Sequence, residues 1–274
     1  MKFCKSIDAI LIFTCLLACN AEKRNIPKGD ELDPPLINYG VVATHPHDTS
    51  SFTEGLVFHN GKLYEATGSP DDLPQTRSVV GPIDLSTGKI DKKVELDRSR
   101  YFGEGIVFLH DKLYQLTYVT KVGFIYDAKT FKQIKEFSFP NKEGWGLTTD
   151  GIHLIMSDGT DKLTYLDSTS LQTLKSISVY DNHGAVKGIN ELEYIAGFIF
   201  ANVLTTNYLV KIDPKTGKVL GKIDLTSLVQ DANARNRNSL DLNGIAYDPI
   251  KETVYVTGKF WPTMYEIKFS LASN

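Results

Sequence analysis

The chain has 274 residues, of which 42% are hydrophobic and 23% are charged, and its formal net charge is −3. This composition is that of a folded globular protein with a sizeable core, and so small a charge does not favour nucleic acid or a membrane surface as a partner. Aromatic residues are frequent, with 13 tyrosines and 14 phenylalanines, and they favour β-strands.

The chain begins with a predicted export signal over residues 1–18. Lys2 and Lys5 precede the apolar run AILIFTCLLA, which is too short to remain in a bilayer as a spanning helix. The ending LLAC resembles a bacterial lipobox, which implies cleavage before Cys19 and lipidation of its thiol; a plain secretory signal is the alternative. We therefore expect a protein of the bacterial cell envelope that contacts a membrane only through its lipid anchor.

The segment that follows, residues 19–37, is polar, charged and rich in proline, and it is predicted to be a flexible tether. Cys4 and Cys15 are removed with the signal, so Cys19 is the only cysteine expected in the mature chain. The mature chain is therefore expected to contain no disulfide, no cysteine nucleophile and no thiolate zinc site.

One unit recurs five times between residues 38 and 270. Each copy has an opening pair of residues, a short apolar run, a turn and a second strand. The opening pairs begin at Glu54, Glu104, Trp145, Asn190 and Asn243. The turns include Asn60-Gly61 and Asp150-Gly151, and such dipeptides between β-rich runs are the strongest short-range sign of a hairpin.

A second hairpin follows in four of the copies. An aspartate precedes each turn, where its side chain can accept hydrogen bonds from backbone amides two residues further on. These aspartates are Asp84, Asp127, Asp167 and Asp213. Two hairpins per copy make a four-stranded blade of the length found in β-propellers.

The two ends of the chain complete this architecture. The fifth copy lacks its second hairpin, and the strand-like segment INYGVVATH, residues 37–45, stands unmatched before the first copy. As the outermost strand of the last blade, this segment would close the ring, whereas an open stack of hairpins would leave two unpaired edges. The sequence thus predicts an all-β fold, a five-bladed β-propeller with four-stranded blades whose last blade is closed by an N-terminal strand.

The innermost strands of a propeller line its central channel, so the opening residues of the five copies are expected around one mouth of the channel. Two carboxylates, an indole and two amides would meet there, which indicates either a binding site or a water-filled polar channel. The second strands end near the same face, at Gly68, Tyr118, Gly159, Leu204 and Lys259.

Aromatic residues are expected to form the walls of a pocket around Glu104. They are Phe52, Phe102, Tyr118 and Trp145. A carboxyl group that aromatic rings shield from water has its pKa raised, which suits a general acid/base. Lys259 would oppose this shift by ion pairing, and Glu54 would reinforce it as a like charge.

Five motifs carry a resemblance to a known family: HDTSSFTEGL, YFGEGI, EGWGL, INELEY and VTGKFWP. In this order and at these spacings they resemble the plant and bacterial type of glutaminyl-peptide cyclotransferase, over about residues 38–270. The resemblance implies a five-bladed propeller that converts the N-terminal glutamine of a peptide or protein to pyroglutamate and releases ammonia. It implies no metal and no other cofactor.

The resemblance also assigns roles to residues. Glu104 matches the family's catalytic glutamate, and Phe102 and Trp145 match aromatic residues of the pocket. Asn190 matches a substrate-binding amide, and Lys259 matches a lysine that could polarise the substrate oxygen.

Three positions depart from the family pattern. Glu54 stands where the family has glutamine, and Tyr118 and Leu204 stand where it usually has tryptophan. Glu54 could still hold the ammonium group of the substrate, while the missing indole at Leu204 would loosen the pocket. These departures affect affinity more than catalytic identity, and they are compatible with weaker activity or a different preferred peptide.

Two other functions are compatible with the same residues. Glu54 and Glu104 could be the paired carboxylates of a propeller glycosidase. That interpretation gives no common role to Trp145, Asn190 and Lys259. The channel mouth could instead capture peptides without turnover, which the three departures favour.

We expect the protein to be a monomer.

Two histidine motifs are weaker signals. HPHD contains His45, His47 and Asp48, a ligand set too small for a metal site, and we interpret it as a solvated loop leading into the first blade. DNHG, around His183, is interpreted as a turn.

Overall fold

The computed structural model describes residues 33–271, which consist mainly of β-strands. The predicted export signal, Cys19 and most of the predicted tether lie outside these residues. Within residues 33–271, no helix is long and apolar enough to cross a membrane.

Antiparallel sheets follow one another along the chain, and the first two blades lie in its first half. The strands up to the end of the second blade are β1 (Tyr39–Pro46), β2 (Thr53–His59), β3 (Lys62–Thr67), β4 (Val79–Asp84), β5 (Lys89–Ile90), β6 (Val94–Glu95), β7 (Gly103–Leu109), β8 (Lys112–Thr117), β9 (Val122–Asp127) and β10 (Gln133–Ser138). The first blade contains β2 to β6, and its outer edge is divided between β5 and β6, which both pair with β4. The second blade contains β7 to β10.

The remaining three blades continue the pattern. Their strands are β11 (Leu147–Thr149), β12 (His153–Ser157), β13 (Lys162–Asp167), β14 (Thr173–Ser178), β15 (Tyr180–Asp181), β16 (Gly184–Ala185), β17 (Ile189–Ile195), β18 (Phe198–Val203), β19 (Tyr208–Ile212), β20 (Val219–Asp224), β21 (Leu242–Asp248), β22 (Thr253–Gly258) and β23 (Thr263–Phe269). The third blade contains β11 to β14, and the fourth contains β17 to β20; β15 and β16 form a short hairpin between them. One helix, α1 (Thr226–Arg235), precedes the last blade.

The chain closes into a ring as the sequence predicts. Innermost strands of adjacent blades contact one another in the order β2, β7, β11, β17, β21 and back to β2. In the last blade β1 pairs antiparallel with β23, so that Tyr39 lies opposite Phe269 and Pro46 opposite Thr263. The five-bladed β-propeller, with its last blade closed by an N-terminal strand, is confirmed.

The hydrophobic core lies between the blades. Neighbouring residues of a strand point to opposite faces of the sheet, so one strand can serve two interfaces. In β8, Leu113 packs with Ala66 of the first blade, whereas Leu116 packs with Leu154 of the third blade. Because neighbouring blades cover both faces of each sheet, inner strands such as β7 and β8 are buried almost throughout, whereas outer strands such as β10 and β14 are mostly exposed.

The aspartates that precede the second hairpins form the predicted contacts. Asp84 accepts a hydrogen bond from the backbone N–H of Ser86 at 2.9 Å, and Asp213 accepts one from Lys215 at 2.8 Å. Equivalent bonds occur in the second and third blades. These local bonds hold each turn without help from the rest of the fold.

In the second and third blades, the second residue of the opening pair lies very close to the backbone of the next blade. A β-carbon on Gly105 would lie 2.5 Å from the Trp145 carbonyl oxygen, and one on Gly146 would lie 2.2 Å from that of Asn190. These glycines are required because any side chain would overlap the backbone of the next blade.

The fourth blade has Glu191 at this position, and its side chain lies across the channel. One carboxyl oxygen accepts a hydrogen bond from the N–H of Leu56 at 3.2 Å, and the other from Ile245 at 2.8 Å. Glu191 therefore links the inner strands of the first and fifth blades to the fourth. Burial raises the pKa of this carboxyl group well above its usual value.

A helix and the end of the tether differ from the sequence-based expectations. The helix α1 was not predicted; its buried residues Leu228 and Ala232 join the core between the last two blades. The N–H of Ile37 donates to the Lys222 carbonyl at 2.7 Å, and that of Lys222 donates to Pro35 at 2.9 Å. The end of the predicted flexible tether is thus paired with the outer strand of the fourth blade.

The expectation of a solvated loop at HPHD is wrong: His45 and Pro46 are the last residues of β1, and His47 is buried. This side chain is buried, with Nδ1 2.7 Å from the Trp261 carbonyl oxygen and Nε2 3.1 Å from Glu65. Burial alone lowers the pKa of His47, but the facing Glu65 carboxylate raises it overall. The pair ties the first blade to the last one. His183 lies in the turn between β15 and β16, as predicted.

Candidate active site

A cavity of about 260 Å³ opens at one mouth of the channel. Its lining contains every catalytic and substrate-binding residue predicted from the sequence, together with one that was not predicted, Asp241. The lining residues are Phe52, Glu54, Phe102, Glu104, Tyr118, Trp145, Asn190, Leu204, Asp241 and Lys259.

The fold brings the opening residues to this mouth by a recurring irregularity in the inner strands. The pairing of β7 with β8 shifts register between Gly103 and Ile106, around Glu104. Equivalent shifts occur in β2, β17 and β21. A β-bulge re-aims side chains and ends regular pairing, which suits residues that must face a cavity rather than a neighbouring strand.

Aromatic rings form one side of the cavity. Phe102 lies edge-on to Phe52, with ring centroids 6.1 Å apart, and tilted against Tyr118 at 5.7 Å. Two glycines leave room for these rings. A β-carbon on Gly68 would lie 2.3 Å from the Phe102 ring, and one on Gly159 would lie 2.5 Å from the Trp145 ring.

Glu54 is fully engaged by other side chains. Lys259 Nζ lies 2.9 Å from one of its oxygens, and Asn243 donates a hydrogen bond to the other at 2.8 Å. Burial raises the pKa of Glu54 even though Lys259 and Asn243 favour its carboxylate form. The Lys259 ammonium also lies over the Phe52 ring, 4.4 Å from its centroid. Burial opposes the charge on Lys259, but Glu54 and then Glu104 raise the lysine pKa overall.

Glu104 is buried but free to bind a ligand. The residue is 5% exposed, and no hydrogen bond from any residue of the 33–271 region holds its carboxyl group. Burial, and next the charge of Glu54, raise its pKa well above the usual value, against the opposing effect of Lys259. A carboxyl group whose pKa is raised in this way is better suited to both accept and donate a proton.

Asn190 is the second buried polar group whose side chain is available. It is 3% exposed, and the described residues provide no hydrogen-bond partner for its amide group. Its backbone oxygen accepts the Ser157 hydroxyl at 2.6 Å, which fixes its position. Glu104 and Asn190 both line the cavity, and no described side chain occupies their polar groups, so they mark the cavity as a binding site.

Sequence reasoning missed two acidic residues near the cavity. Glu143 accepts a hydrogen bond from Trp145 Nε1 at 2.9 Å, and with burial it raises the pKa of Tyr118. Asp241 lines the cavity directly. Both stand two residues before an opening residue, as Phe52 and Phe102 do. The alignment of the repeats could therefore have identified them, because the position two residues before each opening residue faces the cavity.

Comparison with known proteins shows what this arrangement resembles. The sequence model of the glutamine cyclotransferase family matches residues 10–269. A glutaminyl-peptide cyclotransferase of Arabidopsis thaliana is 40% identical over 235 residues, which cover 85% of this chain and 72% of the plant protein. The crystal structure of the Myxococcus xanthus glutaminyl cyclase matches with a TM-score of 0.79 and 29% identity, over 88% of this chain and 100% of the other. By sequence and by fold, the chain belongs to the glutamine cyclotransferase family.

Proposed function

We propose that this chain is a transferase that converts the N-terminal glutamine of peptides or proteins to pyroglutamate with release of ammonia, and that Glu104 is its general acid/base. One observation carries the proposal. Glu104 is a buried carboxyl group without a hydrogen-bond partner in the described chain, and it lines a cavity together with Asn190 and Lys259.

The reaction places modest demands on the protein. The α-amine attacks the side-chain amide carbon of the same residue, so the substrate itself supplies much of the proximity. A new C–N bond closes the five-membered ring, and the former amide C–N bond breaks. One proton must leave the attacking amine, and one must reach the departing nitrogen.

Glu104 is suited to move this proton. In its ionised form it accepts a proton from the attacking amine, and the resulting acid donates it to the leaving nitrogen, which departs as ammonia. General acid/base catalysis works best when the pKa of the group lies near the working pH. The burial and the neighbouring charge of Glu54, which raise the pKa of Glu104, move it in that direction.

Asn190 and Lys259 are placed to stabilise the charge that develops on the amide oxygen. Both can donate hydrogen bonds inside a cavity shielded from water, where such donors are most effective. Side chains of this chain thus supply both the proton transfer and the polarisation. For this reason we propose a reaction without a metal ion.

The structure disfavours the glycosidase alternative. A glycosidase needs a second free carboxylate, which attacks the sugar in retaining enzymes and activates water in inverting enzymes. Both oxygens of Glu54 are occupied, one by Lys259 and the other by Asn243. Glu54 therefore holds Lys259 in place and is unsuited to act as a nucleophile.

The location of the protein is a separate proposal that rests on the sequence. We propose that cleavage before Cys19 and lipidation of its thiol attach the enzyme, as a monomer, to the bacterial envelope. Metabolic labelling with a fatty acid, compared between the natural chain and Cys19→Ser, measures this directly. Equal labelling of the two proteins would contradict it.

The catalytic proposal is tested with a peptide that begins with glutamine. The natural chain should release one ammonia per peptide, measured by mass spectrometry, and Glu104→Gln should lower kcat by about 10²–10⁴-fold. Glu136→Gln is the matched control, because Glu136 lies exposed on the outer strand of the same blade. Peptide binding without turnover by the natural chain would show a binding module instead.

A further inference from the structure

We infer that Asp241 determines which residue the enzyme prefers after the N-terminal glutamine. It selects substrates with lysine or arginine at this second position. This inference rests on the proposed function. It concerns the rim of the same cavity, where the peptide leaves the enzyme, and a residue that the family motifs of the sequence do not include.

The position of Asp241 in the cavity is the first argument. Of the ten lining residues, all within the described chain, Asp241 is the only exposed one; Glu104, Asn190 and Lys259 are buried. The buried groups therefore form the floor, where the reacting glutamine must lie, and Asp241 forms the rim. A cavity of about 260 Å³ is smaller than typical small-molecule pockets of about 300–1,000 Å³, so residues beyond the first lie at the rim.

The backbone holds Asp241 in a fixed place. The N–H of Lys259 donates to the Asp241 carbonyl at 3.0 Å, and the N–H of Leu240 donates to the Lys259 carbonyl at 2.8 Å. Trp261 Nε1 donates to the Leu240 carbonyl at 2.9 Å. This rigid support suits a specificity residue, because ordering a mobile loop on binding would cost free energy and weaken the binding.

The balance of charge determines which side chain is preferred. The one cationic residue of the lining, Lys259, is neutralised by Glu54. The Asp241 carboxylate forms no ion pair within residues 33–271, since its charge acts on Lys259 and Glu54 only at longer range. Glu143 adds a second negative charge near the mouth. A cation at the second position of the peptide would be attracted to this rim, and an anion would be repelled.

The test compares three peptides that differ only at the second position, with lysine, alanine or glutamate after the N-terminal glutamine. It uses the mature chain, Asp241→Asn and the control Asp111→Asn. Asp111 is exposed in the turn after β7, at the end of that strand opposite to Glu104. We expect the natural chain to prefer lysine over glutamate about tenfold in kcat/KM.

Asp241→Asn should reduce this preference about three- to fivefold, mainly through KM, and Asp111→Asn should leave it unchanged. High salt should also reduce the preference of the natural chain, because the attraction between Asp241 and the peptide cation is exposed to solvent and is screened by ions. Equal turnover of the three peptides by the natural chain would overturn the inference. An equal loss for all three in Asp241→Asn would also overturn it, since Asp241 would then hold the α-ammonium group common to them.

A binding experiment separates this inference from the catalytic proposal. Product peptides that begin with pyroglutamate followed by lysine or glutamate cannot be turned over, and their affinities are measured by calorimetry. Tighter binding of the lysine peptide, lost in Asp241→Asn, supports the inference even if no substrate is cyclised. Equal affinities of the natural chain for the two products refute it, whatever the turnover.

Discussion

The glycine at position 159 allows a direct test of the cavity wall formed by Trp145. Gly159 has a φ of +74°, and a β-carbon on it would lie 2.5 Å from the Trp145 ring. Carbon atoms in contact are about 3.5–4.0 Å apart, so Gly159→Ala must push the ring away by roughly 1 Å. This movement acts against the hydrogen bond from Trp145 to Glu143.

The substitution combines a backbone effect with a contact effect, and a control in the same blade separates them. Gly151 has a φ of +90°, but a β-carbon there would meet nothing within 4 Å. Both alanine variants should lose about 1–2 kcal/mol of stability because of the left-handed backbone. For a chain of this size that corresponds to a melting temperature lower by about 2–8 °C.

Only Gly159→Ala should also affect the reaction. Because a misplacement of about 1 Å can cost 10²-fold, we expect kcat/KM for a glutamine peptide to fall by about 10- to 100-fold. Gly151→Ala should stay close to the natural chain at a temperature where both variants are folded. Equal kcat/KM values for the two variants would refute the expectation that the Trp145 ring positions the substrate.

Two further predictions concern pH. Glu54→Gln removes a like charge beside Glu104 and leaves Lys259 without its partner; both changes lower the pKa of Glu104. The acidic limb of the kcat/KM profile should therefore move to lower pH, and an unchanged limb would contradict the assignment of Glu104 as the titrating group. The second prediction concerns stability at the closure of the ring, where the pKa of His47 is raised in the folded state by Glu65. The stabilisation should be complete below the ordinary histidine pKa of about 6.5 and should be lost as the pH rises through the folded value. Urea unfolding across this range should show the loss, and Glu65→Gln should remove the dependence.

Much of the fold could be predicted because its signals are local. An aspartate such as Asp84 accepts a hydrogen bond from an N–H group only two residues away, so a few consecutive residues are enough to predict the turn. The hairpins then repeat at intervals typical of propeller blades. The residues of the cavity followed from the same repetition, since equivalent positions such as Glu54 and Glu104 must face the same channel mouth.

Elements that break the repetition could not be predicted. The helix α1 is inserted between blades, and its sequence TSLVQDANAR has only two buried residues, Leu228 and Ala232, to reveal it. His47 looked like part of a solvated loop because its partners, Glu65 and Trp261, are 18 and 214 residues away. Long-range partners leave no pattern in a local stretch of sequence.

The sequence by itself determined the number of blades, the closure of the ring and the set of side chains around the cavity, because these follow from periodic, local patterns. The tertiary structure decided what each of those side chains is free to do. Glu54 and Glu104 occupy equivalent positions in neighbouring blades, yet Asn243, 189 residues away, and Lys259 occupy both oxygens of Glu54. Glu104 meets no such partner in the described chain. Contacts between distant residues therefore separate a carboxylate that holds Lys259 from one that is available for proton transfer.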